Sequence, residues 1–182
     1  MLDRRFCRWC LRDLVVILNP SSWILAHLKT VSPGRAIDVA AGSGRHAFAM
    51  ADLGFSVTAV DRNPDLASSY QHSDIQLICE DLEGPEWPLS DQSFDLVLVS
   101  NYLFRPYLPE LFALVTPGGF LLYETFGVGN EVYGKPSNPN FLLRAGELAS
   151  ALGSSFDIID ERFEVVSDPS PAVRAGIFAR RS

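Results

Sequence analysis

The chain is expected to adopt an α/β fold built on a mostly parallel sheet, and three observations carry that expectation. From Ser32 and Pro33 onward, short apolar runs alternate with stretches of helical spacing, the rhythm that puts parallel strands in one layer and helices on both its faces. The apolar runs repeatedly end in a polar or acidic residue. The last two runs, FDIIDERFEVV and AVRAGIFARR, are separated only by SDPSP, too short for the crossover that parallel neighbours require, so they pair antiparallel.

In chain order, residues 11–29 show apolar residues at helical spacing broken by Asn19 and Pro20, which predicts two short helices. Strand 35–40 runs into a glycine turn and helix 44–53; strand 55–60 is followed by helix 64–72. Strands 75–79 and 94–100 lead to helix 107–115, strand 119–125 and helix 144–152. The closing pair, 156–166 and 172–181, brings the strands to seven. A length of 182 residues suits one domain, with an N-terminal helical segment over 1–33 and an α/β core over 34–182.

Composition narrows the function. At 47% hydrophobic and 20% charged residues the chain reads as globular. A formal charge of -7, with basic residues scattered apart from Arg180 and Arg181, gives no footprint for a phosphate backbone, so no nucleic-acid partner is expected. Arg12 and Asp13 interrupt the apolar run of the opening MLDRRFCRWCLRDLVVIL, and neither signal peptide nor membrane span is read there. Three cysteines, with Cys79 inside an apolar run, argue against a disulfide framework and for a cytoplasmic setting. Cys7 and Cys10 form a lone CxxC without the further ligands a structural zinc needs, so no metal is expected.

The stretch AIDVAAGSGRHA, residues 36–47, carries the chemistry. From Gly42 it fits the dinucleotide pattern GxGxxA; from Asp38 it fits an acid followed by a glycine turn. Asp38, Asp61, Asp81, Asn101 and Glu124 fall late in or at the ends of successive apolar runs, at spacings of 23, 20, 20 and 23. In an open parallel sheet those ends share one edge, where ligands bind at the topological switch point. Asp61 suits ribose hydroxyls in either reading. Asp38 four residues before Gly42, the antiparallel final pair and the lack of residues for a hydride-acceptor domain favour S-adenosylmethionine (SAM) over a nicotinamide cofactor. SAM is cationic at sulfur and carries an ammonium, so acids around it make physical sense.

DVAAGSG, VTAVDRN, ICEDLE, SFDLVLVSNYLF and the PGG-FLLYETF block resemble, in order and spacing over residues 34–126, the motifs of class I SAM-dependent methyltransferases. YGKPSNPNFLLRAGEL is similar to a bacterial subgroup of small methyltransferases related to the tellurite-resistance type. The resemblance implies a three-layer Rossmann-like sandwich with a mostly parallel seven-stranded sheet and an antiparallel C-terminal strand. It implies SAM as cofactor and a small-molecule methyl acceptor, and a SAM-binding protein without transferase activity is the alternative. It further implies that Gly42 and Gly44 line the methionyl part of the cofactor and that Asp38 reaches its ammonium. Asp61, with Arg62 beside it, would face the ribose hydroxyls; Asp81 would take the adenine amino group and Leu82 pack on the ring. Ala40, also counted in the cofactor site, stands where the family has its first motif glycine.

Methyl transfer needs alignment more than a catalytic side chain. On the acceptor side, Asn101 can accept from or donate to the acceptor or meet the cofactor, Tyr102 can wall the methyl group, and Arg105 can fork onto a carboxylate or phosphate. The Gly, Pro and Asn-rich stretch 127–141 reads as a lid whose Tyr133 and Phe141 shield the reaction. His46 is assigned to packing or to the cofactor's flank rather than to catalysis.

Overall fold

A computed structural model describes residues 19–63, 72–167 and 169–182. The first of the two expected N-terminal helices, Cys7 and Cys10, and all but the last residue of the expected helix 64–72 lie outside the described residues. The second short helix is α1 (Ser22–Leu28), capped by Ser21, whose side chain accepts the Ile24 N–H. Seven residues make too few turns to stand alone in water. Burial of Ile24 and Leu28 docks α1, each contributing about 1.5–3 kcal/mol.

The core elements follow as β1 (Arg35–Val39), α2 (Arg45–Asp52), β2 (Ser56–Asp61), β3 (Ile75–Cys79), β4 (Phe94–Ser100), α3 (Leu108–Ala113), β5 (Val115–Phe126), α4 (Glu147–Leu152), β6 (Phe156–Val166) and β7 (Ala172–Arg181). The sheet order is β3-β2-β1-β4-β5-β7-β6. The first five strands are parallel, and β7 runs antiparallel to both its neighbours. This is the Rossmann-like sandwich of the sequence reading. The order reverses beside β1, with β2 on one side and β4 on the other, which opens a crevice at the carboxyl ends of β1 and β4. One face of the sheet packs Leu96, Leu98, Leu122 and Phe178 against α1 and α2; the other packs Val97, Val99, Leu121 and Ile177 with residues of α3 and α4.

Several bounds shift by one residue, and three elements differ by more. Helix 107–115 opens as a 3-10 turn over Arg105–Tyr107 before α3, because Phe104 is extended at its start. β5 begins at Val115 rather than 119, and its pairing with β4 jumps from Phe94↔Val115 to Leu96↔Phe120, so the Thr-Pro-Gly-Gly turn is absorbed as an irregularity within the strand. α4 starts at Glu147, since Gly146 with φ +70° holds the residue before it out of helical conformation.

Candidate functional site

The ends of β1, β2 and β3 and the turns after them enclose a cleft of about 420 Å³, open to solvent and lined by Ala40, Asp61, Arg62, Glu80, Asp81, Leu82, Glu83 and Tyr102. Asp61 organises it. Its Oδ2 accepts the Gly42 N–H (2.8 Å) and its Oδ1 the Asn63 N–H (3.0 Å), which ties the β1–α2 turn to the end of β2. Each carboxylate oxygen keeps a further lone pair for a hydroxyl donor. Gly42 is required by conformation rather than by space: its φ is +55°, and a Cβ there would meet nothing within 4 Å.

Ala40 adopts the same left-handed region, φ +55°, with a side chain that a glycine would lack. This costs about 1–2 kcal/mol and is the physical reason for a glycine at this point in the family pattern. Asp81 is fixed by the Glu83 N–H (3.0 Å on its Oδ1). Leu82 is buried, and its carbonyl accepts from the Tyr102 hydroxyl (3.3 Å), while the Tyr102 carbonyl accepts from the Tyr123 hydroxyl (2.7 Å). Burial, then Glu83 and Asp81, push the Tyr102 hydroxyl up, so it stays a neutral wall of the cleft. Glu80 and Glu83 were not singled out from the sequence; their place in the run ICEDLE, either side of Asp81 and Leu82, was the available signal.

Asp38 is buried at the end of β1, and neither of its carboxyl oxygens has a hydrogen-bond partner among the described residues. Burial raises its pKa to about 7; the nearby Ala47 N–H, which closes no ordinary hydrogen bond, and Arg45 pull it down, and Asp61 pushes it up. A buried, unpartnered carboxyl beside a glycine turn calls for a cationic partner. This set of acceptors fits SAM, which carries an ammonium, a ribose diol and an adenine amino group.

Beyond β4 the predicted acceptor residues part company. Asn101 follows the strand directly, in the left-handed region with φ +56°; its N–H donates to the Glu124 carbonyl (2.9 Å) and its Oδ1 accepts from Arg174 (2.7 Å). The Arg105 fork is engaged by the chain itself, with Nε and Nη2 donating to the Glu147 carboxylate (2.6 and 3.0 Å) and Nη1 and Nη2 to the Asn140 and Leu142 carbonyls (2.6 and 2.8 Å). That hydrogen bonding holds Glu147 below the usual carboxylate range. Tyr133 and Phe141 are 44% and 49% exposed and do not line the cleft. Their loop is tied down by Arg105 and by the buried Asn130, whose side chain accepts from the Val173 N–H and donates to the Pro136 carbonyl. His46 is buried, accepts the Ser21 N–H at Nε2 (3.1 Å), and is pushed by burial and by Arg45 and Arg174 down to about 3, so it is neutral and positions α1.

Residues 36–119 match the family described as a methyltransferase domain. That match spans somewhat under half of the chain, and together with the fold and the cleft it is a likeness to methyltransferases. A demethylmenaquinone methyltransferase of Corynebacterium urealyticum is 32% identical over 102 residues, 53% of this chain and 44% of its own length. The chain thus spans less than half of that relative. Among solved structures, TehB from Haemophilus influenzae superposes with a TM-score of 0.73 at 16% identity, covering 90% of this chain and 63% of that one. A Burkholderia thailandensis 1,6-didemethyltoxoflavin-N1-methyltransferase gives a TM-score of 0.67 at 20% identity, covering 94% and 82%. At these identities the likeness is one of fold.

Proposed function

We propose that the chain transfers a methyl group from SAM to a small-molecule acceptor. The observation that carries this reading is the buried, unpartnered Asp38 near the end of β1, two residues before Ala40 of a cleft lined by Asp61 and Asp81. In this reading Asp61 accepts the ribose hydroxyls, Asp81 and Leu82 hold the adenine, Arg62 flanks the ribose, and Gly42 and Gly44 let backbone approach the methionyl chain, with the Ala40 methyl at its edge. When bound, SAM supplies an electrophilic methyl group: a lone pair of the acceptor forms the new bond to carbon, and the S–CH3 pair returns to sulfur. Asn101 and Tyr102 orient the acceptor and exclude water. Arg105 acts through the loop it holds rather than on the acceptor, and Tyr133 belongs to that loop. Calorimetry tests the cofactor: S-adenosylhomocysteine binds, and NAD and NADP do not. Binding of a nicotinamide cofactor with no response to S-adenosylhomocysteine would overturn the reading. Ala40, strained and lining the cleft, favours the second reading, a SAM-binding protein without transferase activity; incorporation of labelled methyl from SAM into a metabolite extract separates the two.

A further inference from the structure

The nucleoside half of the proposed site lies at the ends of β1, β2 and β3, so an acceptor meets the cofactor from the other side, at the ends of β4 and β5 and the start of β7. Two guanidiniums meet one carboxylate there, and a third, Arg45, lies near them. Glu124, buried near the end of β5, pairs with Arg162 of β6 and Arg174 of β7, and Ser21 Oγ donates to it (2.7 Å). Glu124, Gly176 and Arg162 are in register across three strands, and the missing side chain at Gly176 leaves room for the Trp23 ring, over which Arg162 stacks on its way across β7 to the glutamate. Arg174 holds Asn101 with its other nitrogen and packs over the Phe126 ring, 4.5 Å from its centroid. Arg45, at the start of α2, donates to Ser100 Oγ (3.2 Å), next in sequence to Asn101.

The charges do not balance. Glu164 approaches Arg162 at 3.7 Å from the exposed side, but Arg174 shares its glutamate, and Asp38, the acid that feels Arg45, meets it at no ion-pair distance and is pushed by burial up to about 7. A chain of net charge -7 thus keeps a local surplus of positive charge at the sheet edge where β4 and β5 end. Burial, with Arg162 and Arg45 nearby, pushes Arg174 down against the pull of Glu124, the condition of a cation that a further anion stabilises.

We propose that Arg174 and Arg45, flanking Asn101, form an oxyanion subsite, and that the methyl acceptor is a small molecule carrying a carboxylate or phosphate. A guanidinium already braced by Asn101 and Phe126 suits such planar oxygens, because little side-chain freedom is lost on binding. Naming the anion as part of the acceptor rests on the methyltransferase reading; the anion site itself does not. The same chemistry could come from the carboxylate of the cofactor, and the test separates the two.

The affinity for S-adenosylhomocysteine is measured first. Benzoate, phenyl phosphate and the neutral benzamide are then titrated into the free and the S-adenosylhomocysteine-loaded protein, read from the Asn101 side-chain amide and arginine Nε signals by NMR. The expected result is saturable binding of both anions, loaded or free, with benzamide silent. R174Q and R45Q should each weaken the anions by about tenfold or more, and K29Q, the same change of net charge at an exposed lysine, should not. R174Q leaves Glu124 its Arg162 and Ser21 partners, and R45Q removes no partner of a buried carboxylate, so at least one variant stays folded for the comparison. Equal binding of benzoate and benzamide, or unchanged anion affinity in a folded R174Q or R45Q, overturns the subsite. Displacement of the anions by S-adenosylhomocysteine assigns the arginines to the cofactor's own carboxylate and overturns the acceptor claim. Failure of S-adenosylhomocysteine to bind removes the cofactor reading, while the titration of the free protein still decides the anion site.

Discussion

Replacing Asp38 by asparagine keeps the shape of the side chain and removes its proton equilibrium. In the fold, burial raises the Asp38 pKa from 3.8 to about 7. Between those two values the folded protein holds a proton that the unfolded chain has released, so the stabilising contribution is fully present below pH 3.8 and lost as pH rises to about 7. At 1.36 kcal/mol per unit the total is about 4 kcal/mol, of which about 2–3 kcal/mol falls between pH 5 and pH 8. Urea unfolding of the wild type and Asp38→Asn at several pH values isolates this quantity, because every other titrating group is common to both proteins. The variant should gain about 2–3 kcal/mol relative to the wild type on going from pH 5 to pH 8. In the same two proteins, S-adenosylhomocysteine affinity should move the other way: the wild type binds more weakly as pH falls below 7, and Asp38→Asn binds at least about tenfold more weakly at pH 8, a change of about 1.4 kcal/mol. Stability curves that stay parallel across pH would show that Asp38 does not titrate in this range, and the ammonium assignment built on its buried, unpartnered oxygens would go with it.

Asp61→Ala should lower S-adenosylhomocysteine affinity by at least about tenfold, since it removes two acceptor oxygens at the rim, while Asp52→Ala at the exposed end of α2 should leave it unchanged; calorimetry on both decides. Ala40→Gly relieves about 1–2 kcal/mol of left-handed strain against about 0.4–1 kcal/mol of added chain entropy, so urea unfolding should show a gain of up to about 1.5 kcal/mol, and a loss would contradict the strained geometry. Arg105→Ala should destabilise the protein by about 1–3 kcal/mol and speed hydrogen exchange at the Val128 and Leu143 amides, which are bonded across the foot of the loop, with little change in S-adenosylhomocysteine affinity.

The cofactor half was legible in the sequence because it is built from local rules. An apolar run that stops at Asp61 or Asp81 gives both the strand and the position of its acid, and a glycine turn after Asp38 gives the approach to α2. The acceptor half depends on register. Glu124 and Arg162 meet only because Gly176 lies between them across two antiparallel pairings, and no spacing along the chain exposes that line. Arg105 offered a free fork in the sequence; its partner Glu147 lies 42 residues away and is brought beside it by the loop between β5 and α4. The bounds of β5 misled for a related reason, since Pro117, Gly118 and Gly119 are turn residues by type and the strand absorbs them as an irregularity.

The reversed direction of β7 has a consequence for how such a chain can diverge. Running opposite to β5, it delivers the residues just after the 167–171 hairpin, Arg174 among them, to the edge where the other strands end. The residues proposed to hold the cofactor, within 38–82, precede it entirely. A change in hairpin length that slips β7 by one residue would turn Arg174 to the opposite face of the sheet and bring a neighbour to the rim, leaving the nucleoside contacts where they are. Under the proposed function, selectivity for the acceptor would be carried on a separable hairpin, and grafting β6–β7 hairpins between chains of this architecture would exchange the acceptor without rebuilding the cofactor side.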